Sequence, residues 1–539
     1  LIDDLALAEE HLQRMYSPRA KVILFIDEIH QLTFSMKTGT ANGADALKEK
    51  LTTLPIGVVG ATTRIEFDHA FSNDQAMRER LDVVELPQLP EKELSTIFGK
   101  KWRVYYRGAL RKQGIMPKED IPKAKIPSLR EDTFKELLIR SAMYRPEMGE
   151  PRRSLKILED LAVASVQTGI QVTPQAVLKM FGKRFNIQTE FDVKAIYENV
   201  VKHLKGQEFA KLEIKHALNY AKLRSKQYPF KPVMTLLFAG STGVGKTEAT
   251  KAIAEVYSKN ADGFKTFNMP IFNSEDGDTE FRRLVGEYAD HNPNGIILLD
   301  EVEKAKNVFN SLLSMTDEGI VDYYVKEKGV TVYRKISLRN NIIIMTSNAG
   351  ADVLRDNAKL KDRKVEGRMH GEDLDMYKRS FASKIGKALK NHLLNTGFTP
   401  ELYNRFDRVI VFDNLSNKTY LEIGDDVVES TVKTVEDAFG VKVQVSKKSK
   451  YRDLPSEAYD ISAFILLTRV DESDTDSGGA RGMIKQVGNL ISNYLVDFIL
   501  ENDLENTGKT ISIKVGRESR LYQDGVDEFR DELNMEILN

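Results

Sequence analysis

The chain has 539 residues, of which 41% are hydrophobic and 29% charged, and this composition excludes a wholly disordered chain and a collagen-like fibre. Its 79 basic and 80 acidic side chains give a net charge of −1, so no overall field attracts the protein to nucleic acid or to an anionic membrane. The absence of cysteine excludes a disulfide framework, zinc–thiolate sites and a cysteine nucleophile, and it fits a reducing, cytoplasmic location.

The beginning of the chain does not resemble a targeting segment. Residues 1–10 are acidic and amphipathic, without a basic start or an apolar core, and the first residue is Leu1 instead of Met. No later apolar run approaches the ~20 residues that cross a bilayer. We therefore expect a chain that starts inside a longer protein and has no membrane partner.

Apolar strand patterns alternate with amphipathic helix patterns along the chain, which predicts an α/β protein with parallel sheets. One arrangement occurs twice. Each copy has an apolar run that ends in Asp-Glu, a second apolar run that ends in Thr or Asn, and an arginine near a helix end. The copies comprise residues 22–28, 56–63 and 78–80, and then residues 296–301, 341–348 and 404–405. Two copies of one module are the simplest interpretation.

Changes of pattern between these copies predict the domain boundaries. We assign residues 1–90 to the remainder of a large α/β subdomain of the first module, and the helix-rich residues 91–183 to its small helical subdomain. Residues 184–415 are predicted to form the large α/β subdomain of the second module. Residues 416–539 are predicted to form its small α+β subdomain and tail.

The most specific motif is Gly240-Ser241-Thr242-Gly243-Val244-Gly245-Lys246-Thr247, between an apolar strand pattern and a helix pattern. Glycines let the backbone approach phosphates, so that consecutive N–H groups and the helix N-terminus bind the anion. In such a motif Lys246 reaches the β- and γ-phosphates, and the Thr247 hydroxyl ligates Mg²⁺. The alternative is a chance glycine-rich turn, which the strand–loop–helix context disfavours. We therefore predict ATP and Mg²⁺ as cofactors.

An acid pair, Asp300-Glu301, follows the apolar run that begins at Ile296. The carboxyl ends of parallel strands form the edge at which open α/β sheets bind ligands. We expect Asp300 to bind the nucleotide-associated Mg²⁺, and Glu301 to orient and deprotonate the attacking water. Such pairs are common without a catalytic role, and the phosphate loop is what favours the catalytic interpretation here.

Further polar residues have both a catalytic and a simpler interpretation. Asn348 ends an apolar run and could hold the lytic water, or it could be a turn residue. Arg405 suits an arginine finger that reaches a neighbour's nucleotide, and Arg481 could contact phosphates within its own chain. Either arginine, taken alone, could be an ordinary surface charge. His30, after the first acid pair, is interpreted as a packed or capping histidine and not as a metal ligand.

Together these motifs resemble the second ATPase module of Clp-type double-ring AAA+ unfoldases. The earlier residues 22–30 and 59–63 are similar to the latter half of the first module of that family, and the layout, without a coiled-coil insertion, is most similar to ClpA-type members. The segments that carry the resemblance in the second module are Gly240–Thr247, Leu298–Ala305, Met345–Gly350, Phe398–Phe406 and Gly479–Arg481.

The resemblance implies two AAA+ modules, each with a parallel-sheet P-loop α/β subdomain and a smaller, mainly helical subdomain. It further implies a hexameric ring that uses ATP to pull polypeptides through a central pore. In the first module it implies cofactor binding by Asp27 and catalytic roles for Glu28 and Arg80, although the first phosphate loop is absent. Docking on a ClpP-type peptidase stays open, because Ile385-Gly386 matches the docking loop of the family poorly.

The chain also lacks the aromatic pore loop of the second module. Residues 282–286 match the family before that loop, and residues 287–294 match it after the loop. A complete hydrolysis site without a means of gripping a polypeptide would waste its cycles. We therefore predict a physical gap between Gly286 and Glu287, with a Cα–Cα distance well beyond the ~3.8 Å of bonded neighbours.

ATP-dependent unfolding or remodelling of protein substrates by a homo-oligomeric ring is the main hypothesis. A nucleotide-gated AAA+ assembly scaffold is one alternative, and the missing pore loop supports it. A nucleic-acid-directed AAA+ motor or loader is another alternative, which the neutral charge and the lack of a basic stripe disfavour.

Overall fold

The structure of the chain is a computed structural model. Its described residues fall into two compact units, one comprising residues 1–94 and 323–334 and the other residues 95–322 and 335–539. No helix among the described residues combines the length and the apolarity that a bilayer crossing requires. The structure describes residues 2–16, 22–30, 57–71, 81–115, 119–121, 125–146, 148–185, 192–258, 262–327, 330–348, 386–388, 390–391, 393–395, 398–447, 458–468, 480–515 and 533–538.

The first unit contains the first acid pair. Its described residues up to residue 71 form helix α1 (Ile2–Met15), strands β1 (Ile23–Asp27) and β2 (Gly57–Ala61), and helix α2 (Arg64–Phe71). The two strands are parallel, so their carboxyl ends lie at the same edge. Helix α2 begins at a capping box, in which the Thr63 hydroxyl accepts a hydrogen bond from the Glu66 N–H and the Glu66 carboxylate accepts one from the Thr63 N–H.

The segment from residue 91 to residue 185 is helical. It contains α3 (Glu91–Lys112), α4 (Glu131–Tyr144), α5 (Arg152–Thr168) and α6 (Pro174–Phe185). Helix α5 ends at Gly169, which adopts the left-handed conformation (φ 68°) that favours glycine after a helix. Fully buried apolar side chains come from each of the four helices, and they include Phe98, Leu137, Leu158 and Phe181.

The following segment contains a five-stranded parallel sheet and a separate two-stranded sheet. Its elements are α7 (Val193–His203), α8 (Glu208–Gln227), β3 (Met234–Ala239), α9 (Lys246–Tyr257), β4 (Phe264–Asn268), α10 (Gly277–His291), β5 (Ile296–Asp300), α11 (Phe309–Asp317), β6 (Ile320–Glu327), β7 (Val330–Ser337), β8 (Ile342–Ser347), α12 (Pro400–Tyr403) and β9 (Arg408–Val411). The five-stranded sheet has the strand order β4-β5-β8-β3-β9, and β6 and β7 form the two-stranded sheet.

Both faces of this sheet are buried, and alternate side chains of a strand enter different cores. Along β3, Leu236 and Phe238 pack on one face, whereas Leu237 and Ala239 pack on the other. Burial on both faces explains why β3, β5 and β8 are almost continuously apolar. The strand order then places the carboxyl ends of β5, β8 and β3 side by side, and these are the ends that carry the predicted site residues.

The predicted gap between Gly286 and Glu287 is wrong. Helix α10 runs from Gly277 to His291 without interruption, and the Arg283 guanidinium pairs with the Glu287 carboxylate one turn later at 2.7 Å. On either side of the join, Val285 and Tyr288 are buried in the same core. The segments that flank the pore loop in the family are therefore successive turns of one helix in this chain.

The C-terminal segment is a small α+β arrangement with its own core. Helix α13 (Asn417–Phe439) begins after Ser416, whose hydroxyl accepts a hydrogen bond from the Thr419 N–H, and it is followed by Gly440 (φ 64°). The other elements are β10 (Lys442–Val445), α14 (Asp460–Thr468), α15 (Ala480–Glu501), β11 (Thr510–Val515) and β12 (Leu533–Leu538). The three strands form a sheet in the order β10-β11-β12.

Candidate functional site

The loop after β3 adopts a backbone that requires glycine. Gly240 (φ 154°) and Gly245 (φ 105°) lie in a region that side chains disfavour. A Cβ at Gly240 would meet the Phe412 carbonyl oxygen at 2.5 Å, and one at Gly245 would meet the Leu204 side chain at 2.7 Å. The loop then enters α9, so that Lys246 and Thr247 occupy the first turn of a helix.

Lys246 is 7% exposed, and its ammonium group is surrounded by oxygen atoms. Its Nζ donates to the carbonyl oxygens of Gly240 at 2.6 Å and Ser241 at 2.8 Å, and to the Asn348 side-chain oxygen at 2.8 Å. Burial lowers the pKa of Lys246 to about 8, and the nearby carboxylate of Asp300 partly opposes this shift. The ammonium group therefore lies at the position to which phosphates bind in loops of this form.

The acid pair lies beside this lysine. Asp300 ends β5, and Glu301 adopts the left-handed conformation (φ 57°), which turns the chain sharply out of the strand. The Glu301 carboxylate accepts a hydrogen bond from the Asn348 side-chain amide at 2.9 Å, and it forms an ion pair with the Lys304 ammonium at 2.7 Å. Because Asn348 contacts both Lys246 and Glu301, it joins the phosphate loop to the acid pair.

These groups open into one cavity of about 660 Å³. Apolar residues also line it, among them Leu204, Ile423 and Val427. The backbone N–H of Ala480, the first residue of α15, donates to the Gly243 carbonyl oxygen at 3.1 Å, which holds that helix against the loop. The predicted site residues that line the cavity are Thr242, Gly243, Val244, Gly245, Lys246, Thr247, Asp300, Glu301, Asn348 and Arg481.

Arg405 is not among the residues that line this cavity. It follows α12, and its guanidinium donates to Asp317 at 3.0 Å. The side chain is 37% exposed, and in the described part of the chain its buried Nε has no hydrogen-bond partner. The segment is anchored two residues later, where the buried Asp407 carboxylate pairs with Arg224.

The first acid pair has a similar local geometry. Asp27 ends β1, and Glu28 adopts a left-handed conformation (φ 55°), as Glu301 does. His30 is buried, and its Nδ1 lies 2.9 Å from the Thr62 hydroxyl and 3.2 Å from the Glu28 carboxylate. The predicted Arg80 lies outside the described residues, and so does Ile385 of the suggested peptidase-docking dipeptide.

Sequence reasoning missed two residues of the site. Thr346 on β8 contacts both acids through its hydroxyl, and Gln207 bonds its amide to the Val244 carbonyl oxygen at 3.2 Å and to the backbone of Asp413. The contacts of Thr346 with the acids depend on the pairing of β5 with β8, which no local pattern of the sequence contains. No local signal identifies Gln207, because its partners are distant in sequence.

Comparison with known proteins supports an assignment of the fold and the family. Residues 231–409 match the family described as an AAA domain of the Cdc48 subfamily. Chaperone protein ClpC1 of Arabidopsis thaliana chloroplasts is 24% identical over 575 residues, with 93% of this chain and 58% of the relative covered. The chain is similar to Clp-type AAA+ proteins over nearly its whole length, and its residues 231–409 match an AAA domain. An Hsp104 structure with ATPγS and FITC-casein matches this chain with a TM-score of 0.63 at 20% sequence identity. The match covers 98% of this chain and 82% of the Hsp104 chain, and it confirms the predicted two-module α/β fold.

The chain spans little more than half the length of the curated relatives that it matches. A ClpA homolog of Brassica napus chloroplasts, named as an ATP-binding subunit of the Clp protease, is 24% identical, with 93% of this chain but only 61% of the relative covered. A second Hsp104 structure, the casein complex from S. cerevisiae in an extended conformation, has a TM-score of 0.62 at 20% identity and covers 83% of that chain. Nucleotide binding follows from the AAA domain, which contains the loop, the acid pair and Asn348.

We predict that nucleotide binding is linked to proton uptake. Phosphate oxygens at Lys246 would raise its pKa from about 8 towards the ordinary 10.5, so between these values the complex binds a proton that the free protein lacks. Affinity for ATP should then fall by up to about tenfold per pH unit as the pH rises above 8. Titration calorimetry at pH 9 in buffers of different ionisation enthalpy measures the uptake. The matched control is Lys246→Arg, which stays charged and should take up no proton. Equal binding heats for the unmodified protein in both buffers would contradict the prediction.

Proposed function

We propose that the second module hydrolyses ATP. The observation that carries this proposal is the convergence of Lys246, Asp300, Glu301 and Asn348 on one cavity at the carboxyl edge of the sheet. The phosphate loop supplies N–H donors and a cation, and a carboxylate lies close enough to act as a base. Each of these is needed to transfer a phosphoryl group to water.

The contacts indicate what ATP must displace. Its phosphates would replace the carbonyl oxygens of Gly240 and Ser241 around the Lys246 ammonium. This change would also weaken the hydrogen bond from the ammonium to the Asn348 side-chain oxygen. Glu301 then accepts a proton from the attacking water, and the Asn348 amide, which already donates to Glu301, keeps both in place. The ion pair between Lys304 and Glu301 has to open for this step.

The residues present also fit a magnesium ion. The Thr247 hydroxyl and the Asp300 carboxylate line the same cavity, and both are oxygen ligands of the kind that Mg²⁺ prefers. These residues would hold Mg²⁺ when ATP binds, and the ion would neutralise charge on the phosphates. Arg481, which lines the same cavity, would contact the phosphates from within the chain.

We further propose that the chain assembles into a ring in which Arg405 acts on a neighbour's nucleotide. Two observations support action between chains: Arg405 does not line the cavity of its own chain, and its side chain is partly exposed with an unpaired Nε among the described residues. Ring assembly would bring this arginine to the next cavity, where it stabilises charge developing on the transferred phosphoryl group.

The proposed use of the hydrolysis energy is protein remodelling. The similar proteins are Clp chaperones, and the matching Hsp104 structures contain casein. A nucleotide-gated assembly scaffold is a second candidate, and the unbroken helix α10 is the specific observation that favours it. In this chain no aromatic pore loop interrupts that helix, so another segment would have to bind the polypeptide during translocation.

Replacing Glu301 by Gln should abolish hydrolysis without abolishing nucleotide binding. The amide keeps the size of the side chain but cannot accept the proton of water, and loss of a general base lowers turnover by ~10²–10⁴-fold. The measurement is steady-state ATP turnover beside ATP affinity, with Glu28→Gln present throughout so that the first module does not contribute. Glu505→Gln, at an exposed position, is the control. Unchanged turnover in the Glu301 variant would contradict the assignment.

Replacing Arg405 by Ala should lower hydrolysis by ~10³-fold or more while nucleotide affinity stays close to normal, as expected for an arginine supplied by a neighbour. Mixing these chains with Glu301→Gln chains should restore some turnover, because some interfaces then combine an intact Glu301 with an intact Arg405. Asp317→Asn removes the partner of Arg405 within its own chain and should leave turnover largely intact. An equal loss of activity in the Asp317 variant, or a large loss of nucleotide affinity in the Arg405 variant, would place Arg405 in the fold instead.

A further inference from the structure

The hydroxyl group of Thr346 contacts both members of the second acid pair. Its Oγ1 donates to the Asp300 carboxylate and accepts a hydrogen bond from the Glu301 backbone N–H at 3.2 Å. Thr346 is 1% exposed, and its two contacts use the single hydroxyl proton and a lone pair at once. One atom therefore connects the orientation of Asp300 to the position of the Glu301 backbone.

The register of the sheet explains why a side chain is needed at this point. Strands β5 and β8 pair as a parallel ladder whose last partners are Leu299 and Met345. One residue further, Asp300 and Thr346 face each other, and the chain leaves the ladder because Glu301 turns into the left-handed conformation (φ 57°). The N–H of Glu301 therefore points to the Thr346 hydroxyl instead of a strand carbonyl.

The left-handed conformation is uncommon for a residue other than glycine and persists where surrounding contacts hold it. At Glu301 the turn directs the carboxylate towards Asn348 and Lys304. A residue that fixes the N–H of Glu301 thus also fixes the direction of its carboxylate. The same residue occupies one oxygen of Asp300, which restricts how the other can face Thr247.

We propose that Thr346 is a positioning residue of the nucleotide site, which sets the geometry of Asp300 for the metal and of Glu301 for the attacking water through one hydroxyl group. This inference rests on the proposed hydrolysis at the second module. Thr346 does not line the cavity, so it acts through the two acids and not on the nucleotide. Loss of such a supporting hydrogen bond in a metal site typically lowers metal affinity or activity by ~10–100-fold.

Thr346→Val tests this proposal, because valine keeps the shape and strand preference of threonine and has a methyl group in place of the hydroxyl. We expect ~10–100-fold slower ATP turnover, a raised Mg²⁺ concentration for half-maximal turnover, and nearly unchanged affinity for nucleotide without Mg²⁺. Thr346→Ser, which retains the hydroxyl, should restore turnover and the Mg²⁺ requirement to near the unmodified values. Equal turnover and equal Mg²⁺ dependence in the Val and Ser variants would overturn the proposal.

A second pair of variants separates positioning from a loss of stability. Thr346→Ala and Thr346→Ser both remove the methyl group, so they differ only in the hydroxyl, and thermal unfolding of each shows how far the fold is affected. A defect that follows stability and is the same for Ala and Ser would overturn the proposal, whereas a defect confined to Ala supports it. The Glu301→Gln variant is measured alongside. Full turnover in the Glu301→Gln variant would contradict the proposed hydrolysis at this site. Full turnover in the Thr346→Val variant, with turnover lost in Glu301→Gln, would contradict only the positioning role of Thr346.

Discussion

A buried ammonium group is the constraint on which the nucleotide site of the second module depends. Removing Lys246 from water is unfavourable unless oxygen atoms replace the water. Two carbonyl oxygens of the phosphate loop and the Asn348 amide oxygen provide this replacement. The requirement ties the loop after β3 to the end of β8, and β8 in turn lies beside the strand that ends in Asp300. The site is thus a consequence of strand order together with one desolvated charge.

The opposite edge of the sheet, at the amino end of β8, is connected to the helical segment of residues 91–185. Arg339, which is 8% exposed and precedes β8, donates to the carbonyl oxygens of Ala142 at 2.5 Å and Glu318 at 3.0 Å. These carbonyls lie at the C-terminal ends of α4 and α11, where the helix dipole favours a cation. Burial nevertheless lowers the pKa of Arg339 to about 10. Rearrangement of α4 would therefore disturb contacts at the amino end of β8, whose carboxyl end carries Thr346 and leads to Asn348.

The parts of the site that depend on adjacent residues could be predicted from the sequence. The phosphate loop is contiguous, and the acid pair and Asn348 each follow an apolar run, so sheet geometry brings them together. Thr346 and Gln207 depend on pairing between distant segments, which no local pattern contains. The predicted gap was wrong because it relied on the comparison with the family. Phe281, Val285 and Tyr288 follow each other at helical spacing across the join, and this pattern predicts one continuous helix.

We propose that ATP hydrolysis at this site drives the remodelling of protein substrates. The most direct measurement is the fluorescence of a folded green fluorescent protein with an unstructured tail, followed over time with the unmodified chain and ATP. We expect a loss of fluorescence that requires hydrolysis and is absent when Glu301→Gln chains replace the unmodified ones. ATP turnover and ring assembly without any loss of fluorescence, for tails of differing composition, would contradict it and favour the assembly scaffold.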